Sequence, residues 1–181
     1  MASRGPATDA EGGLADAIQI SVARLRTPIG ALEVIASSDR ILCIGLPGPP
    51  TRFRKRLPEY LRSEERTAAL HAALTQLREY FAGTRRSFDV HVAPVGTDFQ
   101  RAVWRALLAI PFGETRTYGD IAAELGDPQL ARAVGAASGA NPIPIIIPCH
   151  RVIGAGGYMT GYGGGLKMKT WLLRHEGVLL A

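Results

Sequence analysis

Apolar positions along this chain change period near residue 64, and that change divides the elements they predict. Ile18, Ile20 and Val22 alternate with polar neighbours, Thr27-Pro28-Ile29-Gly30 marks a turn, and runs over residues 32–36 and 41–44 follow around Ser38-Asp39. Period two bounded by turn residues predicts three strands in an antiparallel meander. Pro47, Pro49 and Pro50 end the sheet and open a loop whose Arg52, Arg54, Lys55 and Arg56 read as a solvated surface. From about Glu64 the period lengthens: Leu70, Leu74, Leu77 and Phe81 recur at helical spacing, and Gly83 closes the element. Residues 88–92 alternate again and predict a further short strand before Pro94-Val95-Gly96, a linker.

The second half is helical by the same criterion. Thr97-Asp98-Phe99-Gln100 fits a capping box, in which the Thr hydroxyl and the Gln side chain each satisfy a backbone N–H that the first turn leaves open. That helix carries Val103, Trp104, Leu107 and Leu108 to a stop at Pro111. A second helix spans residues 119–125, Gly126-Asp127-Pro128 turns the chain, and a third spans residues 129–138. Two short helices about a tight glycine-containing turn form a helix-turn-helix pattern. Its second member is made almost wholly of small residues with one arginine, Arg132. A helix that reads major-groove bases needs several long polar side chains, so this one suits either a tight helix–helix contact or a close approach to some other surface. A last helix covers residues 166–176, with Trp171, Leu172 and His175 at apolar spacing.

At 181 residues the chain has room for one ordinary domain or two small ones. Residues 1–16 show no apolar period and are expected to be a disordered tail, residues 17–93 a small α/β domain with no chemistry of its own, and residues 94–181 a mainly helical one. No apolar stretch approaches the ~20 residues that span a bilayer, and the N-terminus lacks a secretory pattern, so a cytoplasmic location is expected. A net charge of +5 is consistent with an anionic partner without identifying one. Cys43 and Cys149 are too few for a disulfide framework, and with four histidines they show no metal-ligand spacing, so no metal is expected. Cys43 lies in a strand-like run and reads as core.

Candidate chemistry concentrates in residues 143–154, where proline-bracketed isoleucines deliver Cys149 and His150 side by side. A thiol with a pKa of about 8.5 is only roughly three per cent thiolate at neutral pH, so a nucleophilic Cys149 needs a base, for which His150 is the candidate. Glu176 stands where the last helix ends, unfavourably placed against the helix dipole unless something else holds it, and orienting His150 would do so. The glycine-rich loop at residues 154–165 lacks the Gly-Lys-Ser/Thr of a phosphate cradle, but its backbone can fold closely over a flat ligand.

The string from Asn141 through Pro148-Cys149-His150-Arg151-Val152 to residues 160–166 resembles the active-site signature of the O6-alkylguanine-DNA alkyltransferases, the methylated-DNA–protein-cysteine methyltransferases. The resemblance covers roughly residues 96–177 most closely. It implies an α/β N-terminal domain, with a small antiparallel sheet and a helix, followed by a mainly α-helical domain with a winged helix-turn-helix-like DNA-binding motif. It further implies stoichiometric repair without a cofactor. The nucleotide is flipped out of the duplex, and the alkyl group of O6-alkylguanine or O4-alkylthymine passes to Cys149. By the same resemblance, a bridging water, His150 and Glu176 would form the proton relay, Asn141 would be a hinge, and Tyr118 would help swing the nucleotide out and donate to the purine. The resemblance likewise makes Arg132 the finger expected to enter the minor groove, flanked by Ala131, Ala133 and Gly135. The carbonyls of Cys149 and Val152, the Gly163 N–H, Tyr162 and Gly164 surround the base, with glycine at position 163 where relatives carry serine. The implied partner is double-stranded DNA and the implied state a monomer, with cooperativity on DNA left open.

Two other readings use the same residues. A cysteine hydrolase would turn over many times, and counting products per protein separates it. A DNA-binding module without chemistry is disfavoured by the presence of Cys149.

Overall fold

The computed structural model describes residues 20–48, 62–63 and 67–178. The expected tail, the start of the first strand at Ile18, the basic loop at residues 52–56 and the first residues of the expected helix lie outside the described residues.

Three strands form the expected meander: β1 (Ile20–Thr27), β2 (Gly30–Ala36) and β3 (Ile41–Gly45). β1 pairs antiparallel with β2, and β2 antiparallel with β3, with a register shift at Ile35/Ala36. A two-residue strand, β4 (Arg62–Ser63), adds to the outer edge of β1 in parallel, giving the order β3-β2-β1-β4. The tight turn between β1 and β2 needs Gly30, whose φ of +107° lies in the region that side chains disfavour. The strand expected over residues 88–92 is reduced to a single bridge, Ile41 to Val92, since Pro94 and Gly96 follow at once.

Helix α1 (Ala68–Phe81) starts at Thr67, whose hydroxyl accepts from Leu70 N–H. Its buried stripe is Leu70, Ala73, Leu74, Leu77 and Tyr80. Phe81, expected at the end of that stripe, is half-buried, and Tyr80 lies fully inside.

Helix α2 (Asp98–Leu108) carries the capping box in full: Gln100 N–H donates to Thr97 Oγ1 at 3.2 Å, and Thr97 N–H donates to Gln100 Oε1 at 2.9 Å. Val103, Trp104 and Leu107 are buried as expected, but Leu108 faces solvent and Ala106 takes the inner position. A second capping box, Thr117 with Asp120, starts helix α3 (Tyr118–Glu124) one residue before the expected position. The third expected helix is a 3-10 turn at Pro128–Leu130 leading into α4 (Ala131–Gly139). Short strands β5 (Arg116–Thr117) and β6 (Val152–Ile153) pair in parallel beside them, and α5 (Leu166–His175) closes the fold.

One continuous core joins both halves, running from Leu32, Val34 and Leu77 to Leu107, Ile121 and Ile147. The isoleucine-rich run is buried throughout and therefore forms a rigid floor rather than a surface loop.

Candidate active site around Cys149

The mount of Cys149 is built by proline and asparagine. Pro144 and Pro148 prevent residues 143–148 from forming a helix, and Asn141 bridges the bend they make. Its Nδ2 donates to Ile147 O at 2.8 Å and its Oδ1 accepts from Ile143 N–H at 3.0 Å. Between those anchors Ile145 is held at φ 77°, which is costly for a β-branched residue, by of order 1–3 kcal/mol, and persists only because the surroundings enforce it. Cys149, His150 and Arg151 then form one 3-10 turn, all three buried.

Burial pushes the Cys149 thiol up to about 11, against the opposing effects of an Asn141 hydrogen bond, the nearby Lys169 charge and backbone N–H groups. At neutral pH the resting sulfur is a thiol. His150 is fully enclosed, and burial lowers its pKa although Glu176 opposes the change, so it is a neutral imidazole. His150 Nε2 lies 2.8 Å from Glu176 Oε1. Since the carboxylate can only accept, Nε2 carries the proton and Nδ1 is left as an acceptor, buried and with no hydrogen-bond partner among the described residues. A neutral base with a free lone pair thus directly follows, in the same turn, a thiol that needs deprotonating.

Glu176 is the hub of this cluster. Besides His150 it accepts from Arg151 Nε at 2.8 Å and Nη2 at 3.0 Å, from Tyr80 Oη at 2.8 Å and from Gly113 N–H at 3.3 Å. Burial alone would raise its pKa, but the hydrogen bonds from His150 and Arg151, together with the Arg151 charge, outweigh it and hold the carboxyl at about 2. The sequence reading placed Glu176 with His150 and missed Arg151, Tyr80 and Lys169. A signal for Lys169 was present: Leu166, Lys169, Leu172, Leu173 and Glu176 follow helical spacing, so a charge falls in an apolar stripe. Its Nζ donates to Val152 O at 2.5 Å and Thr160 O at 3.1 Å, tying β6 to the glycine-rich loop. Arg151 and Tyr80 carried no comparable sign, because their partner comes from a distant part of the chain.

A cavity of about 140 Å³ opens in front of Cys149, with Ser138, Asn141, Tyr162 and Gly163 among its walls. The Tyr162 hydroxyl is buried without a hydrogen-bond partner among the described residues, and burial raises its pKa. A Cβ at Gly163 would meet nothing within 4 Å, so serine would fit there, whereas one at Gly164 would collide with Met168. The carbonyls of Cys149 and Val152 already accept inside the protein, from Val152 N–H and Lys169 respectively, each keeping a second lone pair.

Beside this cavity lies an open groove lined by Tyr118, Ala131, Arg132, Gly135, Tyr162 and Gly163, among others. Helix α4 has one face packed inward and one open to the groove. Val134, Ala137 and Ser138 pack inward, with Trp104 Nε1 donating to Ala137 O at 2.9 Å, while Arg132 and Ala133 are exposed and Ala131 and Gly135 half-exposed. Tyr118 packs 3.7 Å from where a Gly135 Cβ would stand, and its hydroxyl accepts from Thr160 Oγ1 at 3.3 Å. Among the described residues no cluster of His, Cys, Asp and Glu could hold a metal ion, and no helix is long and apolar enough to cross a membrane.

Residues 98–178 match the family model for the 6-O-methylguanine DNA methyltransferase DNA-binding domain, and residues 21–94 that for the 6-O-methylguanine DNA methyltransferase ribonuclease-like domain. A methylated-DNA–protein-cysteine methyltransferase from Salmonella typhimurium is 47% identical over 163 residues, covering 87% of this chain and 95% of the relative. One from Methanosarcina acetivorans is 60% identical over 105 residues, covering 58% and 67%. The crystal structure of Mycobacterium tuberculosis OGT in complex with DNA superposes with a TM-score of 0.75 at 44% identity, covering 87% of this chain and 91% of that one.

Proposed function

From the premise that the chain belongs to the 6-O-methylguanine DNA methyltransferase family, whose members repair DNA by moving an alkyl group onto a protein cysteine, we propose that Cys149 is the acceptor in this chain. The observation that carries the assignment is the buried thiol facing a small cavity, next to a neutral imidazole whose far nitrogen is tied to an ionised carboxylate.

His150 Nδ1 accepts the thiol proton through a bridging water, and Glu176 stabilises the imidazolium that forms. The sulfur attacks the sp3 carbon on guanine O6, the C–O bond breaks as the S–C bond forms, and the electron pair leaves on the purine. N–H and hydroxyl groups, the Gly163 N–H and the Tyr118 hydroxyl, stabilise the leaving base. The product is a thioether that nothing in the site can cleave, so each molecule acts once.

The target carbon is inaccessible within a stacked duplex, so the nucleotide enters the cavity by flipping. Arg132 on the exposed face of α4 fills the space it leaves, and Ala131, Ala133 and Gly135 let the helix approach the minor groove closely. Tyr162 and Gly164 shape the base pocket, Asn141 holds the hinge, and O4-alkylthymine is accepted by the same route. The protein works as a monomer in the cytoplasm, where a thiol stays reduced. Residues 17–93 support the active half, and residues 94–181 bind DNA and carry the chemistry.

The test is intact-protein mass spectrometry after incubation with duplex DNA containing O6-methylguanine. The expected result is one methyl group, at most, per molecule on the peptide holding Cys149, and none on Cys149→Ser. Repair by an unmodified protein, or many lesions processed per molecule, overturns the assignment.

A further inference from the structure

The cavity in front of Cys149 is not built by the C-terminal half alone. Ile44, Leu46 and Pro47, at and just beyond the end of β3, line it together with Ser138, Asn141 and Pro144. A bond between the two halves brings them there: Ile44 N–H donates to Pro142 O at 2.9 Å. Pro142 follows the asparagine whose side chain fixes Ile143 and Ile147, so the sheet edge and the cysteine mount share one clamp. Pro47 is held from its other side by the β1–β2 turn, where a Cβ on Gly30 would stand only 2.6 Å from Pro47 Cγ. Ile44 is fully buried, and Leu46 and Pro47 are half-buried.

In-line displacement keeps oxygen, carbon and sulfur on one axis, so the other substituents of the attacked carbon splay sideways. For a methyl group these are hydrogens. For a longer alkyl group the second and later carbons have to leave the axis and meet a wall. At about 140 Å³ the cavity is well below the ~300 Å³ at which drug-sized pockets begin, so little space is spare.

We propose that Leu46, backed by Ile44 and Pro47, is the wall that longer alkyl groups press against, so that the N-terminal half sets the upper size of adduct this protein accepts. This rests on Cys149 as the acceptor, and makes Leu46 a specificity-determining residue contributed from outside the reacting half.

The experiment compares wild type, Leu46→Ala and Leu46→Trp in single-turnover transfer from duplexes of one sequence carrying O6-methylguanine or O6-butylguanine, with the alkyl group counted on the Cys149 peptide. One or two carbons against an apolar wall change discrimination by about 10-fold or more. The butyl-to-methyl rate ratio is therefore expected to rise about 10-fold in Leu46→Ala and to fall by a similar factor in Leu46→Trp. If Leu46→Trp fails to fold, Leu46→Met against a methyl, propyl and butyl series supplies the second variant, with an altered length dependence expected. Methyl transfer to Cys149 with an unchanged ratio in both variants overturns the wall proposal alone. Absence of methyl transfer in the wild type overturns the acceptor assignment, and the wall proposal with it.

Discussion

Arg151 and Glu176 meet inside the core through two hydrogen bonds, Nε to Oε2 at 2.8 Å and Nη2 to Oε1 at 3.0 Å, while Arg151 Nη1 donates to Ile110 O at 2.6 Å. Because Arg151 directly follows His150, one 3-10 turn delivers both the imidazole and the cation that keeps its carboxylate partner ionised. The pair thereby links the end of α5 to the cysteine turn.

Breaking that pair leaves an uncompensated buried charge, which typically costs 3–5 kcal/mol. Arg151→Met and Glu176→Gln are each expected to lose on the order of 3 kcal/mol in urea unfolding at pH 7, and Arg151→Lys to recover little, since a lysine cannot supply the forked geometry. The effect has a defined pH sign. The folded Glu176 carboxyl is held at about 2 against an ordinary 4.5, so its stabilising contribution is complete above about 4.5 and is lost as pH falls towards 2. The stability gap between wild type and Glu176→Gln should narrow across that range, and a gap constant from pH 6 to pH 2.5 contradicts the depressed carboxyl.

A thiol pushed up to about 11 reacts slowly with small electrophiles at neutral pH. Alkylation of Cys149 by iodoacetamide is expected to accelerate about tenfold per pH unit between pH 7 and 10 without levelling off, because the thiolate fraction is still growing. Asn141→Ala removes a hydrogen bond that favours the thiolate and should slow the reaction at every pH in that window. A plateau near pH 8.5 in the folded protein is the contrary result.

His150→Gln keeps a side chain of similar reach without the imidazole's basicity. Transfer from O6-methylguanine duplexes is expected to slow by about 10²- to 10⁴-fold, the usual contribution of a positioned base, while the affinity for lesion DNA changes little. Single-turnover rates together with binding titrations separate the two, and a rate equal to wild type removes His150 from the relay.

Arg132→Ala alters the exposed face of α4 without touching the Cys149 cavity. Duplex repair is expected to slow by at least about tenfold, since unstacking a base costs a few kcal/mol that an inserted side chain helps to offset. Transfer from free O6-methylguanine, which needs no extrusion, should be nearly unaffected. Equal losses with both substrates argue that Arg132 acts on the pocket instead of on the duplex.

What was legible in the sequence was local. The period-two runs of the meander, the Thr97–Gln100 box and the proline-bracketed isoleucines each act within a few residues, and each formed the element expected of it. Expectations failed where the outcome depended on contacts from elsewhere. Phe81 and Tyr80 are equally apolar in a helical count, yet Tyr80 is drawn inward because its hydroxyl finds Glu176, 96 residues away. Lys169 is hidden among apolar positions because two backbone carbonyls satisfy it, and no spacing rule announces such acceptors. Leu46 and Pro47 read as the end of a sheet, since nothing in their neighbourhood points to a thiol a hundred positions on.

The enclosure of Cys149 bears on how such a molecule survives in the cell. A sulfur that can be used only once is lost to any stray oxidant or electrophile that reaches it first. With only 7% of its surface open and its proton firmly held, Cys149 is kept dormant towards dissolved reagents. With Cys149 as the acceptor proposed above, its supply is expected to decline in step with lesions met, rather than with the age of the protein.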